Sequence, residues 1–177
     1  ATRVVTLTSI MDDGGTADGG VNTTALAIAS AISVTPVNDA PQLPSTGSDP
    51  PFVENGAAVG VYSGTSIDLT EAADQVESMT LTVSGLQNGS DEWLSVDGTN
   101  VELTDGSNEN TAANGFAVSV SVSGGTATVT LSQAGGSSVA DAQAVINSLE
   151  YQNTSEDDLG ATRVLTLASI MDHRAIA

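Results

Sequence analysis

Carboxylates are the side chains of this sequence most able to do chemistry. The chain of 177 residues has 22 Asp and Glu residues against three arginines and no lysine, which gives a formal net charge of -19. So much negative charge destabilises a compact state by self-repulsion unless something neutralises it. Bound Ca²⁺ would do so, because this hard cation takes oxygen ligands from Asp, Glu, Asn and backbone carbonyls. Solubility is the alternative explanation, and the positions of the acids must decide between the two.

A group of acids occurs near the N-terminus, in the segment DDGGTADGG at residues 12–20. It is similar to the Gly- and Asp-rich nonapeptide that binds Ca²⁺, although that motif works through tandem copies and only one imperfect copy is present. A solvated hairpin loop is therefore the favoured interpretation. Asp12, Asp13 and Asp18 remain weaker candidates for calcium ligands.

Catalytic chemistry has little support in the sequence, and we predict that the chain is not an enzyme. His173 is the only histidine and cysteine is absent, so neither a Ser-His-Asp triad nor a zinc site is credible, and there is no disulfide framework. We interpret the acidic pairs Asp91/Glu92 and Asp157/Asp158 as solvated loop charge. They are not interpreted as glycosidase carboxylates, because no aromatic residues of a sugar pocket accompany them.

The same composition limits the partners. A chain this acidic has no basic surface for the phosphates of nucleic acid. The sequence contains no recognisable signal peptide and no apolar run long enough to cross a bilayer, so membrane insertion is not expected.

An internal repeat indicates how the chain is organised. ATRVVTLTSIMD at residues 1–12 returns as ATRVLTLASIMD at residues 161–172, with two differences. The offset of 160 residues is far longer than the 20–50 residues of solenoid repeats, so it suggests a whole domain repeated in tandem. Residues 1–36 are then the C-terminal hairpin of a preceding repeat, or else permuted closing strands. Residues 37–177 form the next module, with its closing strand truncated.

Short strands are predicted over most of the chain. Residues 2–10 and 23–35 read as a β-hairpin, and a helix over TALAIASAI is the alternative because alanine favours helix. The segments GVYSGTSIDL (60–69) and SMTLTVSGL (78–86) are predicted strands. Two further hairpins are predicted, in WLSVDGTNVEL with a turn at Asp97-Gly98 and in FAVSVSVSGGTATVTLS with a turn at Gly124-Gly125.

One helix interrupts the strands. Ser138 is a suitable N-cap, and Asp141 lies favourably in the first turn. Val139, Ala142, Ile146 and Leu149 have the spacing of a short amphipathic face. Strands are expected again at 150–153 and 162–170, so the pattern as a whole predicts an all-β sandwich or barrel with one short helix.

Three segments resemble the cadherin-like tandem repeats of large bacterial surface adhesins, including RTX-type adhesins whose repeats are joined by VNDAP links. They are TPVNDAP (35–41), DQVESMTLTVSGL (74–86) and RVVTLTSIMDDGGTADGG (3–20). The resemblance implies a cadherin/immunoglobulin-like Greek-key β-sandwich that binds Ca²⁺ and acts in adhesion without catalysis. It also implies an extracellular location, at the bacterial cell surface or secreted.

The resemblance implies a calcium site at the junction between modules, and individual residues of this sequence match its ligands. Asn38 and Asp39 match the junction motif. Glu54, in FVEN, matches the glutamate near the start of the first strand. Asp74 and Glu77, in ADQVES, match the acidic pair that reaches the same pole.

The function expected from these observations is that of a calcium-rigidified extender module whose partners are neighbouring repeats of the same protein. The alternative is a calcium-dependent carbohydrate-binding module. Exposed aromatic residues would favour that alternative, but Trp93 is expected in the core.

The truncated closing strand suggests a further partner. A module that lacks this strand would expose an unpaired edge, which is a template for pairing. We therefore predict a homo-oligomer in which residues 23–35 of one molecule complete the sheet of the next by strand addition. Closure within one chain, as a circular permutant, is the alternative.

Overall fold

The computed structural model describes residues 1–35, 37–71, 74–156 and 160–173. The chain divides into two compact units, Ala1–Asn38 and Asp39–Ala177. Strands dominate both units, and no helix in the described ranges is long and apolar enough to cross a membrane. In these ranges the strands are β1 (Thr2–Met11), β2 (Thr23–Ser33), β3 (Thr46–Gly47), β4 (Val59–Gly60), β5 (Tyr62–Ser63), β6 (Gln75–Ser84), β7 (Glu92–Val96), β8 (Thr99–Glu102), β9 (Asn108–Asn110), β10 (Ala117–Ser123), β11 (Thr126–Ser137), β12 (Glu150–Asn153) and β13 (Val164–His173).

The first unit is a β-hairpin, as the sequence predicts. β1 pairs with β2 in antiparallel register, from Thr2 opposite Ser33 to Met11 opposite Thr23. The N-terminal ammonium of Ala1 donates a hydrogen bond of 2.8 Å to the carbonyl of Val34, which closes the open end. TALAIASAI is therefore strand and not helix, because pairing with β1 overrides the helix propensity of its alanines.

The second unit is a β-sandwich of antiparallel sheets, which confirms the predicted all-β class. One sheet has the order β13-β6-β11-β10-β9, the other has the order β4-β12-β7-β8, and β3 pairs with β5. Alternate residues point inwards, as Met79, Leu81 and Val83 do on β6. The Greek-key, cadherin-like connectivity implied by the resemblance stays a prediction.

Two tight turns form where the sequence predicts them. Gly124 and Gly125 have φ of 57° and 73° between β10 and β11, and Asp97 and Gly98 have φ of 52° and 77° between β7 and β8. Positive φ at both central residues is the geometry that matches the twist of a two-residue hairpin. These turns fix the register of the strands that carry the core.

The predicted helix is α1 (Val139–Asn147). The backbone N–H of Asp141 donates to Oγ of Ser138 at 3.1 Å, which confirms Ser138 as the N-cap. Ala142 and Ile146 are buried, together with Val145 from the same face.

Residues 60–69 do not form the continuous strand that was predicted. Only β4 and β5 are extended there, and Gly64 turns the chain with φ of 64°. The N–H of Thr65 then donates to Oδ1 of Asn147, and the N–H of Ile67 donates to Oε1 of Gln143. Side chains of α1 thus take the hydrogen bonds that a neighbouring strand would otherwise supply.

The expected place of Trp93 in the core is also wrong. Glu92, Leu94 and Val96 of β7 are buried, whereas Trp93 between them is half-buried on the outer face of the sheet. The alternation of a strand puts neighbouring residues on opposite faces, and at this strand the inward positions are the even ones.

Candidate functional site

Three acids meet where β13 ends beside the start of β6. Glu71 and Asp74 lie in the connection from β5 to β6, and Asp172 is opposite Val76 in the ladder between β13 and β6. One potential ligand atom from each of the three residues lies within 4.8 Å of the others, and all three residues are half-buried. We call Glu71, Asp74 and Asp172 the acidic cluster.

Backbone hydrogen bonds hold the first two acids close together. The N–H of Glu71 donates to the carbonyl of Leu69 at 2.7 Å, and the N–H of Asp74 donates to the carbonyl of Glu71 at 3.1 Å. Thr70, just before, has φ of 67° and donates its N–H to Oδ1 of Asp68. Asp172 is then added from a distant part of the sequence by the pairing of β13 with β6.

The acidic cluster has the chemistry of a site for a hard cation. Oε2 of Glu71 and Oδ2 of Asp74 are enclosed and accept no hydrogen bond from the described residues. A buried carboxylate oxygen without a donor is costly, and neighbouring negative charges add repulsion. A divalent cation with oxygen ligands, such as Ca²⁺, would offset both effects. In the described residues no other group of three or more His, Cys, Asp or Glu side chains has this spacing.

The structure distributes the predicted ligands over several places. Asp74 belongs to the acidic cluster. Glu77 is exposed on β6, with its carboxylate 3.8 Å from Nδ1 of His173. Glu54 is exposed on a loop, and Asn38 and Asp39 are exposed at the last position of the first unit and the first position of the second.

The weaker candidates lie in the loop between β1 and β2. Asp12, Asp13 and Asp18 are all exposed. Oδ1 of Asp12 accepts a hydrogen bond of 2.9 Å from the N–H of Gly14, which is the geometry of a turn.

Sequence reasoning did not single out Glu71 and Asp172. The repeat contained a signal for the second of them, because Asp172 stands where Asp12 stands in the first copy. For Glu71 there was no pattern, since its neighbourhood depends on a local turn and on a strand far along the chain.

A second polar group is buried between the sheets and centres on Glu92. Its side chain is fully buried and forms an ion pair with Arg163, with 2.7 Å between Nε and Oε2 and 3.0 Å between Nη2 and Oε1. The hydroxyl of Tyr151 donates to Oε2 at 2.7 Å, and the N–H groups of Gln87 and Asn88 donate to Oε1. The interpretation of Glu92 as solvated charge is therefore wrong, although Asp91 beside it is exposed. Asp157 and Asp158 lie outside the described residues.

The five hydrogen bonds control the ionisation of Glu92. Burial is the largest influence and raises the pKa of this carboxyl, but the donors from Arg163, Gln87, Tyr151 and Asn88 outweigh it. The pKa of Glu92 is therefore below its ordinary value. Since every donor is directed at the charged form, this network is built to hold a carboxylate in place.

A groove of about 580 Å³ lies along the side of the sandwich, next to β13. Its lining includes Val164 and Leu165 from β13 together with Phe52 and Tyr151. These two rings pack edge to face, with centroids 5.4 Å apart and planes at 77°. The lining is mixed, because Asp49, Glu54, Asn153 and Arg163 contribute to it as well.

Comparisons with protein-family models, with curated proteins and with solved structures give no significant match for this chain. The likeness to cadherin-like adhesin repeats thus rests on sequence motifs such as TPVNDAP (35–41) alone.

Proposed function

We propose that this chain is a calcium-binding structural module that extends a secreted bacterial surface adhesin and has no catalytic activity of its own. The acidic cluster carries the proposal. It combines three closely spaced acids with two enclosed carboxylate oxygens that have no hydrogen-bond donor in the described structure. A bound Ca²⁺ would supply the positive charge that these oxygens lack.

Calcium in the acidic cluster would secure the end of a sheet. β13 is an edge strand that pairs with β6 in the five-stranded sheet. Edge strands open more readily than central strands. An ion shared by Asp172 on β13 and by Glu71 and Asp74 before β6 would tie that end down and stiffen the module.

The repeat and the TPVNDAP segment support a tandem setting. A domain-length repeat of 160 residues fits an array of similar modules, and the resemblance places such arrays at the bacterial cell surface or in secreted proteins. Neighbouring repeats are then the main partners. An array of stiffened modules would hold an adhesive tip away from the cell.

A calcium titration tests the metal site. After EDTA treatment, millimolar Ca²⁺ should raise the melting temperature by about 5 °C or more, because a ligand that binds only the folded state stabilises it by mass action. Asp172→Asn should remove roughly half of that rise or more, since one of three anionic ligands is lost. No shift in the wild-type protein would refute the site.

Two further variants make the test specific. Glu109→Gln changes an exposed acid on β9 and serves as the matched control, which should keep the full calcium response. Asp39→Asn reports on the junction site implied by the resemblance. A loss confined to Asp39→Asn would move the ion from the acidic cluster to the junction.

The groove beside β13 favours a second candidate function, calcium-dependent carbohydrate binding. Phe52 is half-buried in its lining and offers part of an aromatic surface. A polysaccharide pull-down with and without Ca²⁺ would test this candidate, with Phe52→Ala as the variant. Binding that needs neither calcium nor Phe52 would count against it.

A further inference from the structure

The strand β1 repeats the residues that hold β13 in the sandwich. Leu165, Leu167 and Ile170 pack against the buried core, and Arg163 pairs with Glu92. At an offset of 160 residues, the first copy has Val5, Leu7, Ile10 and Arg3 in the same places. β13 and β1 also share a register irregularity at the same point, between Leu167 and Ser169 and between Leu7 and Ser9.

In β1 these docking residues are exposed. The exposed fractions are 62% for Val5, 53% for Leu7 and 61% for Ile10. Arg3 is exposed as well and forms no ion pair or hydrogen bond with the described residues. A two-stranded hairpin with one bare apolar face is marginally stable in water, and such a face marks an interaction surface.

The second strand of the hairpin extends the same face. Ile28 is opposite Leu7 and Ile32 is opposite Arg3, and residues opposite each other share a face of the ladder. Both isoleucines are more than half exposed. The other face also exposes Val4, opposite Ala31, but its remaining pairs include smaller residues such as Thr6 opposite Ala29. We call Val5, Leu7, Ile10, Ile28 and Ile32 the hairpin face.

The second unit contains a surface complementary to this hairpin. One edge of β6 pairs with β13, which contains most of the motif TRVxTL. The arginine of this motif forms an ion pair with Glu92. Beyond β13 the described part of the five-stranded sheet has no further strand, and the groove is lined in part by Val164 and Leu165 of β13. In the first unit β2 is the strand that lies beside TRVxTL. A β2 strand placed beyond this position would direct Ile28 and Ile32 towards the groove.

We propose that the β1–β2 hairpin of one molecule occupies, in a second copy of the chain, the position that β13 holds in the structure. Arg3 then pairs with the partner's Glu92, the hairpin face packs on the partner's core, and β2 covers the partner's groove. β13 of the second copy is released.

The exchange gains more apolar contact than it loses. Docking of β1 replaces the contacts of β13 almost side chain for side chain, because the two strands differ at two of twelve positions. The gain comes from β2, since β13 pairs only with β6 in the described residues, whereas β1 is already paired with β2. The exchange is bimolecular, so its extent should increase with protein concentration.

Disulfide trapping tests the proposal directly, because the natural sequence has no cysteine. Thr166 is opposite Thr82 in the ladder of β13 and β6, and Thr6 is the counterpart of Thr166 in β1. Oxidation of Thr6→Cys/Thr82→Cys at high protein concentration should give covalent dimers and longer chains. Thr166→Cys/Thr82→Cys should link within one chain, which shows that this cross-strand geometry allows the bond.

The register has its own control. Thr2→Cys/Thr82→Cys places the first cysteine on the same face of β1 but four residues away, and it should stay unlinked. The proposal is overturned if Thr6→Cys/Thr82→Cys stays reduced while the Thr166 control links. It is also overturned if the bond forms within one chain.

The two arginines provide a second readout. In the Thr6→Cys/Thr82→Cys background, Arg163→Lys should increase the intermolecular product several-fold, because it weakens the hold of β13 on Glu92. Arg3→Lys should decrease the intermolecular product several-fold, because it weakens the ion pair between the incoming hairpin and the partner's Glu92. Equal effects of the two changes would contradict the exchange. All samples can be run in EDTA, so failure here is distinguishable from failure of the calcium site.

Discussion

Arg163 and Glu92 form a two-point ion pair although 71 residues separate them in the sequence. Arg163 directly precedes β13 in the five-stranded sheet, whereas Glu92 begins β7 in the four-stranded sheet. The pair therefore joins the two layers of the sandwich. Its side chains are 9% and 0% exposed, so the interaction is shielded from solvent.

Removal of the cation should be costly. Arg163→Ala leaves the buried carboxylate of Glu92 without its charge partner, and breaking a buried pair in this way costs about 3–5 kcal/mol. Urea unfolding at low protein concentration measures the loss. Arg3→Ala is the matched control in the repeated motif and should change the free energy of unfolding by about 0.5 kcal/mol or less. Equal losses from the two variants would contradict the role of the buried pair.

Acid should weaken the sandwich through Glu92. Because its pKa is lowered in the folded state, Glu92 contributes stability that is fully present above its unfolded pKa of about 4.3. That contribution is lost as the pH falls through the lower folded value. The difference in unfolding free energy between the wild-type protein and Glu92→Gln should therefore shrink below about pH 4. Urea unfolding at several pH values measures it, and a difference that stays constant down to pH 2 would argue against this linkage.

The two tyrosines should resist ionisation in alkali. The pKa of Tyr62 is raised mainly by burial, and the pKa of Tyr151 is raised by burial and by its hydrogen bond to Glu92. The chain has only these two tyrosines, so the rise of absorbance near 295 nm with pH, to which the non-ionising Trp93 does not contribute, reports on their ionisation. We expect the phenolate signal of the folded protein to lag behind that of a denatured sample as the pH passes about 10, the ordinary value. Since the folded state favours the protonated phenols, stability should fall above that pH. A normal titration curve in the folded protein would contradict the burial of both hydroxyls.

A glycine should be needed at position 85, because the backbone just before β13 passes close to it. Gly85 has φ of 83°, and a Cβ at this position would collide with the carbonyl oxygen of Thr162, just before Arg163. Gly85→Ala should therefore cost about 1–3 kcal/mol beyond the backbone strain itself. Gly64→Ala is the control, because Gly64 has a similar φ of 64° but open space around it. Its cost should be the strain alone, about 1–2 kcal/mol. Thermal unfolding of both variants separates the cost of the collision from the cost of the backbone strain. Equal losses of stability in the two variants would rule out the collision.

The parts of the structure that sequence reasoning predicted correctly are those with local causes. The alternation on β10 and β11 and the two glycines between them specify a hairpin without reference to the rest of the chain. The cap of α1 is equally local. Glu92 was misjudged because its burial depends on Arg163 and Tyr151, which are far along the sequence. Glu71 was missed for the same reason, since its neighbour Asp172 arrives only through the pairing of β13 with β6.

The long separation of Glu92 from Arg163 also bears on how the protein is made. The arginine is translated 71 residues after the glutamate, which takes about 4 to 14 s at 5–20 residues per second. During that interval the nascent chain has a carboxylate destined for burial without its cation, and the edge of β6 that β13 will cover is open to other strands. Until this arginine has left the ribosome, closure of the sandwich therefore lacks the stabilisation of the ion pair, so completion of the second unit is delayed until β13 has been synthesised.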